Sequence, residues 1–209
     1  MWKKFVTEIE NKGYDYEFLT SGHCCDEAFL DQLIRKQGID KRKCRFNINL
    51  PETLVERIAS YDAIVSCRLH PSIIAFSLGI PAIGIIWNSK VKFFYESIGY
   101  EDRVISTHDI SSEKLLGKLE QAMEQGVNSE EEYLMSVYRT LFNGVQRSLK
   151  NEKDIRPYTY TELLKVLPDF EGTSKEEEMQ KLERKFRRTY DTYNAVRDKY
   201  IKLKESCKK

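Results

Sequence analysis

The stretch YDAIVSCRLHPSIIAFSLGIPAIGIIW, residues 61–87, predicts a strand, a turn, a helix and a second strand in 27 consecutive residues. Residues 63–67 form a short apolar run, typical of a strand buried on both faces of a parallel sheet. Pro71 suits the first position of a helix, and the mostly apolar residues after it predict a buried helix. Gly79 ends that helix, and residues 82–87 predict the next strand. The stretch therefore predicts a βαβ unit of an α/β fold.

Two polar side chains, Arg68 and His70, follow the first predicted strand. Open α/β sheets bind ligands at the carboxyl ends of their strands. If the backbone is still extended there, residues two apart face the same side and both side chains point at one ligand. The start of the next helix favours an anion. From position alone, an Arg68 paired with a carboxylate and a His70 that caps the helix explain the pattern equally well.

Composition limits the classes of function. The chain has 34 basic and 33 acidic residues, so no overall field favours nucleic acid or an anionic membrane. The five cysteines show no paired metal-ligand spacing, and we expect reduced thiols, no metal and a cytoplasmic protein. There is no signal-peptide pattern and no apolar run near the ~20 residues of a spanning helix. Peripheral attachment to a membrane-bound pathway stays open.

Local patterns predict the elements around this unit. Helices are predicted at residues 2–11, 27–37 and 111–125 and from Pro51 onward, and strands at 14–19 and 103–106. His23 follows the strand at 14–19, and so it is a candidate to line the same cleft as His70. A surface loop with Ser21 or Asp26 as the helix cap is the favoured interpretation of that segment.

Lys90 follows the second strand of the βαβ unit. Because the carboxyl ends of parallel strands share one edge of the sheet, the topology places Lys90 near the turn that carries Arg68. A solvated lysine with no specific role is the ordinary interpretation of such a residue.

The end of the chain predicts a linker at residues 151–173 and one long helix at 174–209. Apolar residues recur by threes and fours, which is typical of a coiled-coil seam: Met179, Leu182, Phe186, Thr189, Tyr193, Val196, Tyr200 and Leu203. Self-association or binding of a partner helix is favoured over a helix lying on anionic lipid.

A combination of motifs resembles a known family. Ser66-Cys-Arg-Leu-His70, the apolar helix, Gly79-Ile-Pro81 and Lys90, in this order and spacing, resemble the carboxyl-terminal half of the polysaccharide pyruvyl transferases. We expect the resemblance to cover residues 1–150. It implies a Rossmann-like parallel sheet domain, one half of a two-domain glycosyltransferase-B-like architecture. It also implies that an amino-terminal half, which helps to hold the acceptor, is missing here.

The resemblance also implies the chemistry. Enzymes of this family transfer the three-carbon unit of phosphoenolpyruvate, without a cofactor, as a ketal onto sugar hydroxyls of a polysaccharide precursor. Arg68 would then grip the donor carboxylate or phosphate, Lys90 the other anionic group, and His70 would move a proton. Three further candidates complete the predicted substrate-binding residues: Ser66, Ser72 and His23.

Two other functions fit the same sequence. One is the donor domain of a nucleotide-sugar glycosyltransferase, although Lys90 stands where a ribose-binding carboxylate is expected. The other is a non-catalytic scaffold in which the coiled coil at 174–209 carries the function.

Overall fold

The computed structural model describes residues 1–46, 48–128, 131–149, 155–166 and 171–207. Parts of the predicted linker, at 151–154 and 167–170, and the end of the last predicted helix, at 208–209, lie outside the described residues.

The described residues form an α/β structure with parallel strands and a long carboxyl-terminal helix, as predicted. The helices are α1 (Trp2–Asn11), α2 (Cys24–Gln37), α3 (Pro51–Ala59), α4 (Leu69–Ser77), α5 (Ser89–Ser97), α6 (Ser112–Gln125), α7 (Glu131–Ser148), α8 (Tyr160–Val166) and α9 (Lys175–Ser206). The strands are β1 (Phe18–Leu19), β2 (Cys44–Arg45), β3 (Ile64–Ser66), β4 (Ala82–Ile86) and β5 (Val104–Ser106). Within this described part no helix is both long and apolar enough to cross a membrane.

The chain divides into two compact units. The first comprises Met1–Arg57 and Gly172–Lys209, and the second comprises Ile58–Glu171. The limits of these two units differ from the domain boundaries predicted at residues 150 and 173. The predicted domain boundaries stay a prediction.

The first unit is built on β1 and β2, which pair in parallel with Phe18 opposite Cys44. Its core is a cluster of buried side chains: Val6, Leu30, Leu33, Ile39 and Cys44. Helix α9 begins in this unit with a capping box between Ser174 and Glu177. It is held by Lys185, whose Nζ donates to Glu27 Oε1 at 2.6 Å and to Asn49 Oδ1 at 2.9 Å.

The second unit contains a parallel sheet in the order β3-β4-β5. Ser66 lies opposite Gly84, and Gly84 lies opposite Val104. The central strand β4 is buried along its first four residues, as predicted from its apolar run. Gly84 lets α5 approach the sheet, since a Cβ there would lie 2.5 Å from Tyr95 Cε2. The helices α4 and α5 are the crossover connections that parallel neighbours need.

Several local predictions are wrong in detail. The strand β3 is only half-buried, because it pairs with β4 alone among the described strands. The strand predicted at 14–19 is limited to Phe18–Leu19. Helix α4 begins at Leu69 and not at Pro71, and it is only partly buried, since Ile73 is 36% exposed. The Rossmann-like order of strands stays a prediction.

The predicted coiled-coil seam lies on α9 and is exposed in the structure. Leu182 is the least exposed of its large apolar side chains, at 40%, and Phe186 is the most exposed, at 74%. Each large apolar side chain of the stripe is therefore at least 40% exposed.

Candidate functional site

The candidate site lies at the carboxyl ends of the strands in the second unit. Strands β3 and β4 are parallel neighbours, so the turn from β3 into α4 and the turn from β4 into α5 lie at the same edge of the sheet. Each turn leads directly into a helix, which places two helix amino termini at that edge. Such ends carry unpaired N–H groups and favour anions.

The first turn is shaped by Ser66, at the end of β3. Its Oγ donates to the Arg68 carbonyl at 2.8 Å and accepts from the Arg68 N–H at 3.0 Å. Arg68 is the N-cap of α4, with extended backbone angles of φ −104° and ψ 138°. The hydroxyl of Ser66 therefore holds the backbone of this turn.

His70 does not sit on extended backbone as predicted. It is the second residue of α4, and its side chain is exposed. The alternation that was expected to aim Arg68 and His70 in one direction therefore does not apply. Both residues still belong to the start of the same helix.

Trp87 joins the two turns. The guanidinium carbon of Arg68 lies 5.6 Å from the centroid of the Trp87 ring, which is a cation–π arrangement. Trp87 Nε1 donates a hydrogen bond to the Cys67 carbonyl. Sequence reasoning missed this role of Trp87 and treated the residue as the end of a strand. The sequence feature that could have revealed this role is a large aromatic side chain at the carboxyl end of the second strand, the edge at which the ligand was expected.

Lys90 lies in the first turn of α5. The Asn88 side chain caps this helix, with Oδ1 accepting from the N–H of Lys90 at 3.1 Å and of Val91 at 3.3 Å. The Lys90 side chain is exposed, and its ammonium group has no carboxylate partner within the described residues. The structure thus places Lys90 at the same sheet edge as Arg68.

Ser72 faces the interior. It is 1% exposed, and its Oγ is buried without a partner at hydrogen-bond geometry. Its neighbour is the buried hydroxyl of Tyr95, which also lacks such a partner. Burial raises the pKa of Tyr95 to about 12, and Ser72 and Arg103 act in the opposite direction. Ser72 lies on the buried face of α4 next to Tyr95 of α5, and its part in substrate binding stays a prediction.

His23 belongs to the first unit and caps α2. Its Nδ1 accepts from the Cys25 N–H at 3.2 Å, so the predicted caps Ser21 and Asp26 are wrong. The potential ligand atoms of His23, Cys24 and Cys25 lie within 4.8 Å of one another. These three residues are consecutive at the start of α2, which by itself brings their ligand atoms close together. We therefore assign no metal site to them. The predicted role of His23 in substrate binding stays a prediction.

His108 is a further candidate that sequence reasoning did not consider. It follows β5, whose Ser106 lies opposite Ile86 of β4, so it lies beyond the same ends of the strands. Its N–H donates to Ser106 Oγ at 3.2 Å, and its side chain is exposed. The available signal was a histidine two residues after a predicted strand.

The comparisons agree with the resemblance over part of the chain. Residues 6–89 match the family model of the polysaccharide pyruvyl transferases. No curated protein and no solved structure matches the chain. The matched segment contains His23, Ser66, Arg68, His70 and Ser72 and ends one residue before Lys90, so residues 90–150 of the predicted extent lie beyond it. Over residues 6–89 the chain carries the sequence pattern of the polysaccharide pyruvyl transferase family, as predicted.

Proposed function

We propose that this protein is a pyruvyl transferase of polysaccharide synthesis that takes phosphoenolpyruvate as its donor and a sugar or polysaccharide precursor as its acceptor. The observation that carries the proposal is the contact between Arg68 and Trp87, inside the family match, because it ties together the two turns that would hold the donor. A Rossmann-like domain and a cytoplasmic location are part of the same proposal.

The chemistry assigns a role to each side chain at this edge. The donor carries a carboxylate and a phosphate, and the guanidinium of Arg68 suits a two-point grip on either group. Lys90 supplies a point charge for the other group. His70 delivers a proton to the methylene carbon of the donor or takes one from a sugar hydroxyl, the general acid or base role for which histidine is used most often. Two sugar hydroxyl oxygens form bonds to the central carbon, and the methylene carbon takes up one proton to become a methyl group. The bond from the central carbon to the phosphate oxygen breaks, and phosphate leaves with the second hydroxyl proton, which gives a cyclic ketal.

Binding of phosphoenolpyruvate tests the proposal without requiring turnover. Isothermal titration should give at least tenfold weaker binding for Arg68→Ala, since a hydrogen bond to a charged group contributes about 1.5–3 kcal/mol. Arg68→Lys should restore only part of the affinity, because it keeps the charge and loses the fork.

Matched controls come from the same unit. Lys90→Ala should also weaken binding of phosphoenolpyruvate, since it removes the charge proposed for the second anionic group. Arg139→Ala removes an exposed arginine of α7 and is the control for Arg68→Ala, and Lys92→Ala removes an exposed lysine of α5 and is the control for Lys90→Ala. Donor binding by Arg68→Ala at the wild-type affinity would remove Arg68 from the site and, with it, the proposed function.

A second candidate, a scaffold that associates through α9, is favoured by the exposed seam. We propose a second copy in antiparallel orientation as its occupant. A parallel pair would bring Glu178 against Glu183 and Lys199 against Lys204 of the other copy, whereas an antiparallel pair brings Glu183 toward Lys204.

Sedimentation equilibrium of the full chain should show a dimer that Phe186→Ser weakens and Arg187→Ser does not. Mild oxidation should give no covalent dimer through Cys207, because antiparallel helices hold these residues at opposite ends. A monomer at every concentration contradicts the scaffold, and a Cys207 disulfide contradicts the orientation.

A further inference from the structure

The first unit contains a cavity of about 360 Å³ that no sequence pattern indicated. Its wall is formed by the loop that carries Ser21 and Gly22, by Asn49, and by one face of α9. Its volume lies at the lower end of the roughly 300–1,000 Å³ typical of small-molecule sites. All of these residues belong to one unit of the chain.

Four cationic side chains of α9 line the cavity: Lys181, Arg184, Lys185 and Arg188. They are spaced by three and four residues, so each lies beside another of like charge on the same face of the helix. Like-charge neighbours at this spacing destabilise a helix. No acidic residue lines the cavity within the described part of the chain.

The chain itself neutralises this charge only in part. Lys185 forms an ion pair with Glu27, and Lys181 donates to Thr173 Oγ1 at 3.3 Å. Arg184 Nε donates to the Gln180 carbonyl. Neither Arg184 nor Arg188 has a carboxylate partner in the described residues, and both are exposed at the rim. The Lys181 ammonium is also attracted electrostatically by the carboxylates of Glu52 and Glu177. The cavity therefore keeps about two uncompensated positive charges, those of Arg184 and Arg188.

The floor of the cavity is held in place by specific contacts. Asn49 Oδ1 accepts from Lys185 Nζ at 2.9 Å. Gly22 has a φ of +83°, and a Cβ there would lie 3.3 Å from Asn49 Oδ1 and from the Ile48 carbonyl, so this backbone approach requires glycine. The basic face of α9 thus stands opposite a defined polar loop.

We propose that this cavity binds a phosphate monoester or diphosphate group. Such groups carry two or more negative charges, which matches the uncompensated charge, and arginine pairs of this kind bind phosphate oxygens bidentately. A single carboxylate would leave one of these two charges unpaired. The four cations lie outside the segment that matches the family, and the cavity belongs to the first unit whereas Arg68 belongs to the second.

The test uses the full chain with inorganic pyrophosphate as the soluble probe, by isothermal titration. Arg184→Gln and Arg188→Gln should each weaken binding about tenfold, since each removes a charge-assisted contact. Arg187→Gln is the matched control, because it removes a neighbouring exposed charge of α9 that does not line the cavity. All of these titrations are made in an Arg68→Ala background, because the strand edge that carries Arg68 is itself proposed to bind a phosphate group.

A second arm asks whether the phosphate belongs to a lipid. Phosphatidylcholine vesicles with and without phosphatidic acid are tested by flotation with the same variants. Binding in either arm that depends on Arg184 and Arg188 supports the site. The arm in which it occurs tells whether the bound phosphate group is soluble or part of a lipid. Absence of binding in both arms, or equal binding by Arg188→Gln and Arg187→Gln, overturns it.

Discussion

Gly84 is the residue of the second unit at which adding one methyl group, as in Gly84→Ala, has the clearest expected cost in stability. A Cβ at this position would lie 2.5 Å from Tyr95 Cε2 and 3.0 Å from Val91 Cγ1. Ordinary contacts begin at 3.4 Å, so the aromatic ring must move by about 0.9 Å, the difference between 3.4 and 2.5 Å. Tyr95 and Val91 are 2% and 1% exposed and have no free space to enter.

Two opposing effects set the magnitude for Gly84→Ala. Overpacking a core costs about 1–3 kcal/mol, and replacing a strand glycine by alanine returns roughly 0.5–1 kcal/mol. Because the displacement is large and the neighbours are almost fully buried, the upper part of the overpacking range applies, about 2–3 kcal/mol. We therefore expect the free energy of unfolding of the second unit to fall by about 1–2.5 kcal/mol. Because α5 carries Lys90, the same displacement reaches the candidate site.

Urea unfolding followed by Trp87 fluorescence measures this effect in a Trp2→Phe background, where only the second unit reports. Gly117→Ala is the matched control in the same unit, because nothing lies within 4 Å of its added Cβ. It should stabilise α6 by about 0.5–1 kcal/mol. A Gly84→Ala protein as stable as the wild type would refute the packing of α5 on β4 described here.

Two further predictions concern titratable groups. Tyr95→Phe should raise the free energy of unfolding by about 1 kcal/mol, measured as a higher urea midpoint, because it removes a buried hydroxyl that makes no hydrogen bond of good geometry. Since the pKa of Tyr95 is raised from 10.0 to about 12, the wild-type protein should lose stability as the pH rises from 10 through 12, and Tyr95→Phe should lose less; equal alkaline profiles would contradict this. The Arg156 guanidinium lowers the pKa of Glu162 to about 2, so the contribution of that carboxylate is present above pH 4.5 and lost as the pH falls through 2. Carboxyl NMR titration should show the Glu162 pKa returning toward 4.5 in Arg156→Ala, and an unchanged value would exclude the ion pair as its cause.

Local sequence determined most elements because their signals are local. The helix predicted at 2–11 is α1, and Ser111 caps the helix that was predicted to end at 125. The apolar run of β4 and the glycine after α4 predicted a βαβ unit, and the family match over 6–89 includes it. Caps, periodicity and apolar runs depend on residues within a few positions of one another.

The start of α4 shows where such rules stop. None of the first four N–H groups of a helix has an intrahelical partner, so a proline is tolerated at any of the first positions. Pro71 could open the helix or stand third in it, and the structure chooses the third position. That choice decides that His70 lies on the helix rather than on extended backbone.

The sequence by itself determined the α/β class, the βαβ unit, the long last helix and the chemical types available at the strand ends. Tertiary structure alone decided that Arg68 stacks on Trp87, that Ser72 is buried against Tyr95, and that a basic face of α9 lines a cavity. The contact that seats α9, between Lys185 and Glu27, joins residues 158 positions apart. Contacts of that kind depend on the register of strands and the docking of helices, which arise from the packing of the whole unit and leave no mark in any short window of sequence.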